Sequence, residues 1–118
     1  MSTRVLIVDD HDGFRASASA LLERHGFSIV GEACDGESAL RSADELRPDV
    51  VLLDVQLPDR DGFEVAARLH ELVDPPDVVL ISSRDRTAFG LLVDESGACG
   101  FIAKAELSGE RITALLAK

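Results

Sequence analysis

Asp9 and Asp10 directly follow the apolar run Val5-Leu6-Ile7-Val8, and Asp54 directly follows Val50-Val51-Leu52-Leu53. Ser82 and Ser83 follow Val78-Val79-Leu80-Ile81, and Lys104 follows Phe101-Ile102-Ala103. Carboxylates, hydroxyls and an ammonium therefore stand at the ends of four apolar runs. Brought to one place, three carboxylates repel one another strongly. A hard divalent cation resolves that repulsion. Mg2+ takes one or two carboxylates with a carbonyl, waters and phosphate oxygens. A carboxylate beside such a cation, a hydroxyl and an ammonium is equipped to receive a phosphoryl group. Carboxylates form aspartyl-phosphates, and the neighbours neutralise the oxygens of the transferring group. One strand-end Asp is ordinarily a solvated turn former; the agreement of four run ends is what points to chemistry. The lysine sharpens this. The chain holds ten Arg but only two Lys, the other being the last residue, Lys118. A compact ammonium suits a single-point contact to a phosphoryl oxygen better than a guanidinium fork does.

These residues converge only if the runs are strands of one sheet. With the weaker run Phe27–Val30 included, the five runs start 22 to 28 residues apart. Short, continuous, β-branched runs read as strands buried on both faces. The gaps carry apolar residues at helical spacing: Phe14, Ala18, Leu21 and Leu22; Ala39, Leu40 and Ala43; Val65, Ala66, Leu69 and Leu72; Ala88, Leu91 and Leu92; Ile112, Leu115 and Leu116. Pro48 suits the end of the second helix, and Ser108 suits the cap of the last. Alternating strands and helices give an α/β fold with a parallel sheet and right-handed crossovers. Five strands are too few for a closed eight-stranded barrel. The expectation is a doubly wound, flavodoxin-like (βα)5 sandwich with strand order 2-1-3-4-5. In that order the first and third strands are neighbours, and every run end lies on the carboxyl edge where ligands bind. Asp54, at the end of the central strand, is the expected nucleophile.

The chain has 118 residues, 46% hydrophobic and 29% charged, which fits one folded domain and argues against disorder. With 22 acidic and 12 basic residues the net charge is −10. That argues against direct binding to nucleic acid or to an anionic membrane, both of which need clustered positive charge. No apolar run approaches the ~20 residues that span a bilayer. The start Met1-Ser2-Thr3-Arg4 has no signal-peptide pattern, so a cytoplasmic location is expected. Cys34 and Cys99 lack CxxC spacing and read as reduced, small core residues. His11, His25 and His70 read as surface or loop residues, and Asp12, Asp59 and Asp61 as solvated or capping ones.

The motifs are similar to those of the receiver domain of bacterial two-component response regulators. They are Asp9-Asp10, Asp54 with Pro58 and Gly62 in D-V-Q-L-P-D-R-D-G, Ser82, and G-A-C-G-F-I-A-K ending at Lys104. The resemblance spans residues 1–118, with no output domain expected. It implies that Asp54 takes a phosphoryl group from a histidine kinase or a histidine phosphotransfer protein. Asp9, Asp10 and Asp54, with the Gln56 backbone carbonyl, would hold Mg2+. Ser82 and Lys104 would bind the phosphoryl group. Ser82 and Phe101 would relay its presence to a face formed by the fourth helix, fifth strand and fifth helix, where an output partner or a second copy docks. Activity would be limited to self-phosphotransfer and autodephosphorylation. Ser82 stands where Thr is commoner, and Ala105 where many members have Pro. The D-D-H opening and K-A-E-L ending look like the subfamily usually fused to a LuxR-type helix-turn-helix. The chain would then be either the N-terminal receiver of a DNA-binding transcriptional regulator or a single-domain regulator.

Two other functions fit less well. A Mg2+-dependent phosphohydrolase with an aspartyl nucleophile wants a second Asp two residues on, where this chain has Gln56, and a cap domain. A nucleotide or flavin carrier wants a phosphate-cradling Gly-rich loop after the first strand, where this chain has two Asp.

Overall fold

The computed structural model describes residues 2–117. The apolar runs fold as β1 (Arg4–Val8), β2 (Ser28–Ala33), β3 (Val50–Asp54), β4 (Asp77–Ser82) and β5 (Gly100–Ala103). Between and after them lie α1 (Asp12–Arg24), α2 (Gly36–Leu46), α3 (Gly62–His70), a short α4 (Leu92–Glu95) and α5 (Gly109–Leu116). The strands form one parallel sheet in the order β2-β1-β3-β4-β5, as the spacing of the runs implies.

Side chains alternate across a strand, so a sheet covered on both faces needs apolar residues at every position. Leu6, Val8, Val51, Leu53, Val78 and Leu80 pack one face against Ala39, Ala43, Val65, Ala66 and Leu69 of α2 and α3. Val5, Ile7, Val50, Leu52, Val79 and Ile81 pack the other against Ala18 and Leu22 of α1 and Ile112 of α5. β2 is the half-buried edge, which explains its weaker apolar pattern. It begins one residue later than the run suggested and extends to Ala33, while Phe27 is buried just before it.

Helix starts are set by polar side chains that accept orphan backbone N–H groups. Asp35 accepts from Ser38, Asp61 from Phe63, and Ser108 from Arg111. α2 stops at Leu46, where Arg47 adopts a left-handed φ of 49° ahead of Pro48.

Two expectations are corrected. The fourth helix is not one continuous element. A single 3-10 turn, Arg86–Phe89, is separated from α4 by Gly90 with φ 57°. Val93 is buried, but Leu91 and Leu92 are 70% and 50% exposed, so the apolar stripe read across them does not face the core. Of the two cysteines expected in the core, Cys34 is exposed, whereas Cys99 is half-buried and packs against the layer that holds Ile102 and Ile112. Cys34 follows the edge strand, where the sheet no longer covers it.

Candidate functional site

Strand register assembles the site. Val8 pairs with Leu53, so Asp9 and Asp54 emerge side by side at the carboxyl edge. Asp54 pairs with Ile81, which puts Ser82 one step beyond it, and Ser82 pairs with Ala103, just before Lys104. Among the described residues, the buried polar or charged ones are Asp9, Asp54 and Ser82, at 0%, 3% and 0% exposure. Every such group therefore belongs to this one edge. A core does not bury carboxylates without compensation.

The compensation is partial. The Lys104 ammonium lies 2.6 Å from Asp9 Oδ2 and 3.1 Å from Asp54 Oδ2. It donates a hydrogen bond to Asp54 and also sits 4.7 Å from the centre of the Phe14 ring. Asp54 Oδ1 accepts the Gln56 backbone N–H at 3.0 Å. Asp9 Oδ2 is buried and accepts no hydrogen bond of proper geometry; its close approach to Lys104 is an ion pair. Burial pushes the Asp54 carboxyl above the usual aspartate range and Asp9 adds to this, against the opposing pull of Gln56 N–H and Lys104. Burial draws the Lys104 ammonium down, but Asp9 and Asp54 outweigh it and its pKa lies above the usual lysine value. One ammonium pairs with Asp9 and Asp54 while Asp10 stands beside them, so the three carboxylates exceed it by two negative charges. That excess, and an Asp9 oxygen that shares its one counter-charge with Asp54 and accepts no hydrogen bond of proper geometry, are what a divalent cation would satisfy. Donor atoms of Asp9, Asp10, His11 and Asp54 all lie within 4.8 Å of one another.

A cleft of about 270 Å³ opens above Asp54, lined by Asp10, His11, Gln56, Pro58, Ser83 and Lys104 among others. Ser82 lies beneath this edge. Its Oγ accepts the Arg84 backbone N–H at 3.0 Å, so its hydroxyl proton remains free to donate. Gly62 closes the floor. A Cβ there would stand 2.4 Å from the Asp54 carbonyl oxygen and 2.6 Å from Val55 Cα. Only glycine lets α3 start against the backbone that carries Asp54.

Asp9, Asp10, Asp54, Gln56 and Lys104 are thus brought together, with Ser82 at the adjoining strand end. Phe101 is not in the cleft. It is half-buried on β5 with its ring 5.8 Å from Phe89, which in turn lies 5.6 Å from Phe63. Asp61 caps a helix as expected. Asp59 does more than was read from it: it reaches across to accept the Gly36 and Glu37 N–H groups at the start of α2. Three residues around the cleft do more than their sequence reading gave them. His11 is exposed, but its Nδ1 lies 3.2 Å from Asp9 Oδ1 and 3.1 Å from Asp10 Oδ1. Arg15 donates to the Asp9 carbonyl, to Asp12 and to Glu32. Phe14 faces Lys104. The signal for His11 was its adjacency to the two Asp; nothing in the linear pattern marked the other two.

The family model described as the response regulator receiver domain matches residues 5–117. The chain belongs to the response regulator receiver domain family. The receiver is 39% identical over 114 residues to the virulence-factor transcription regulator BvgA of Bordetella pertussis, a match covering 97% of this chain and 54% of that protein. It spans about half the length of the curated relatives it matches. Among solved structures it is similar to a LuxR-family two-component response regulator from Aurantimonas sp. SI85-9A1, with a TM-score of 0.87, 30% identity, and coverage of 99% of this chain and 84% of that one. It is similar also to the signal receiver domain of NarL from Mycobacterium tuberculosis, with a TM-score of 0.84, 35% identity, and coverage of 99% and 98%. The receiver is a module of two-component signal transduction.

Proposed function

We propose that Asp54 accepts a phosphoryl group from the phosphohistidine of a histidine kinase or histidine phosphotransfer protein, and that its occupancy switches a protein-interaction face. The observation that carries this is the setting of Asp54: a buried carboxylate at the tip of the central strand, open to a cleft and held by Lys104. An Asp54 carboxylate oxygen attacks phosphorus and forms a P–O bond. The P–N bond breaks, and its electron pair stays on the departing imidazole nitrogen. The Gln56 N–H orients one Asp54 oxygen, and Lys104 offers its ammonium to the phosphoryl oxygens. Asp9, Asp10 and Asp54, with the Gln56 carbonyl, are the residues that would hold Mg2+. The buried Asp9 oxygen, which accepts no hydrogen bond of proper geometry and shares the Lys104 ammonium with Asp54, supports that fit. Bound there, Mg2+ supplies positive charge to the phosphoryl oxygens.

Ser82 turns its free hydroxyl proton toward the new phosphoryl oxygens. The 3-10 turn beyond Ser83 shifts with it, and Phe101 moves against Phe89. The readout is the face formed by α4, β5 and α5, where an output partner or a second copy docks. The chain's own chemistry is confined to self-phosphotransfer and autodephosphorylation, in the cytoplasm. The charge of −10 disfavours direct contact with nucleic acid or an anionic membrane. A reading as the N-terminal receiver of a longer transcription regulator is favoured by the half-length coverage of its relatives.

The test is phosphoryl uptake from acetyl phosphate by the wild type and by Asp54→Asn. The wild type is expected to take up one phosphoryl group with Mg2+ and none with a chelator. Asp54→Asn is expected to take up none. Undiminished uptake by Asp54→Asn overturns the assignment.

A further inference from the structure

His11 follows the Asp9-Asp10 pair directly and occupies the cap position of α1, where its side chain caps no helix N–H. Its side chain is 70% exposed, yet Nδ1 turns inward to within 3.1 Å of Asp10 Oδ1 and 3.2 Å of Asp9 Oδ1. Its backbone N–H donates to the same Asp9 Oδ1 at 2.9 Å, which fixes the residue against the cluster. Two donors on one octahedral ion with bonds of about 2.1 Å stand about 3.0 Å apart at adjacent vertices and about 4.2 Å apart at opposite ones. The Nδ1–Asp9 Oδ1 contact is itself of hydrogen-bond length; both Nδ1–oxygen separations also match adjacent vertices, and the 4.8 Å limit on the whole donor set needs only small side-chain adjustment to match opposite ones. Asp9 Oδ2 is buried, accepts no hydrogen bond of proper geometry, and has the Lys104 ammonium, 2.6 Å away, as its counter-charge.

We propose that His11 Nδ1 is a ligand of the cation held by Asp9, Asp10 and Asp54, which makes this a mixed nitrogen–oxygen site that favours imidazole-binding divalent metals. The proposal rests on the reading of the cluster as a cation site and adds a residue and a selectivity to it. Mg2+ prefers oxygen donors and gives up its waters reluctantly, so His11 adds little to its binding. Ni2+ and Zn2+ accept imidazole readily, so for them His11 adds a bond. Any nitrogen–oxygen site already binds Ni2+ more tightly than lighter divalent ions. The informative quantity is therefore how selectivity changes when His11 is removed.

The experiment titrates the metal-free wild type, His11→Ala and His11→Asn with Mg2+ and with Ni2+ by calorimetry, and examines bound Mn2+ by pulsed EPR for coupling to a coordinated nitrogen. The expected result is a loss of Ni2+ affinity of about 10-fold or more in both variants. Mg2+ affinity should stay within about twofold. Nitrogen coupling is expected in the wild type and absent from the variants. Because the ring is exposed, the fold should persist, and circular dichroism checks that. Equal losses for both metals, or bound Mn2+ without nitrogen coupling in the wild type, overturn the proposal and leave the phosphoacceptor reading standing. No binding of any of the three metals by the wild type overturns both.

Discussion

Asp9 and Asp54 are buried against a single ammonium, and that imbalance governs the residue scale. Asp54 has its folded pKa raised, chiefly by burial, with Asp9 adding to it. A carboxyl raised in the folded state stabilises the fold relative to its ionised form below the unfolded value of about 3.9, and that advantage is lost as pH rises through the folded value. Metal-free Asp54→Asn is therefore expected to melt a few degrees above the wild type at neutral pH, with the gap closing toward pH ~4. Thermal melts with a chelator present check this; a constant gap at all pH contradicts it. Lys104 is raised too, so its contribution is present below its unfolded value of about 10.4 and is lost as pH climbs through the folded one. Lys104→Met strips the counter-charge from both carboxylates. It should cost less than about 3 kcal/mol, because the ammonium keeps contact with solvent. Carbon-detected NMR should also find the Asp54 carboxyl displaced further upward. The convergence of these residues on one edge was legible in the sequence because each follows an apolar run. Phe14 and Arg15 were not, because their proximity to Lys104 and Asp9 arises only when α1 folds back on the sheet.

Two contacts between elements determine how the site is held. Gly62 lets α3 begin in contact with the Asp54 and Val55 backbone. Gly62→Ala forces a shift of backbone rather than of a flexible side-chain end, at an expected cost of about 1–3 kcal/mol by denaturant unfolding. NMR shifts should move at Asp54 and Val55; an unperturbed variant refutes the close packing. Asp59 joins the loop after β3 to the start of α2, and its pKa is lowered first by the Gly36 N–H. A lowered carboxyl stabilises above its unfolded value and loses that contribution as pH falls through the folded one. In Asp59→Ala, amide exchange at Gly36 and Glu37 is expected to quicken at neutral pH, and the difference from the wild type should shrink under acid. Elements were legible where burial forced an unbroken apolar pattern, as in β1, β3 and β4. α4 was misread because Leu91 and Leu92 keep helical spacing with Ala88, although Gly90 breaks the helix, leaves both leucines exposed and turns Val93 to the core instead. Spacing records periodicity and is silent about which side of a short helix the core covers.

At the scale of the whole molecule, the doubly wound order gathers residues more than forty positions apart onto one edge while the two apolar layers hold the sheet rigid. The largely exposed segment from Arg86 to Glu95 lies next to that edge and carries Phe89 between Phe63 and Phe101. Phosphorylation adds about two negative charges and strong acceptors beside Ser82, which biases this less-buried segment rather than the core. Fluorine NMR on fluorophenylalanine-labelled protein is expected to show the Phe89 and Phe101 signals move together on phosphorylation, while Phe27, packed on the other face, stays fixed. The central claim is that the phosphoryl group resides on Asp54. Reductive trapping of the acyl phosphate converts the modified carboxyl to an alcohol that peptide mass spectrometry locates. Treated with acetyl phosphate and Mg2+, the wild type should carry that mark on Asp54 and on no other residue. A mark on Asp9, Asp10 or any other carboxylate, with Asp54 unchanged, contradicts the account.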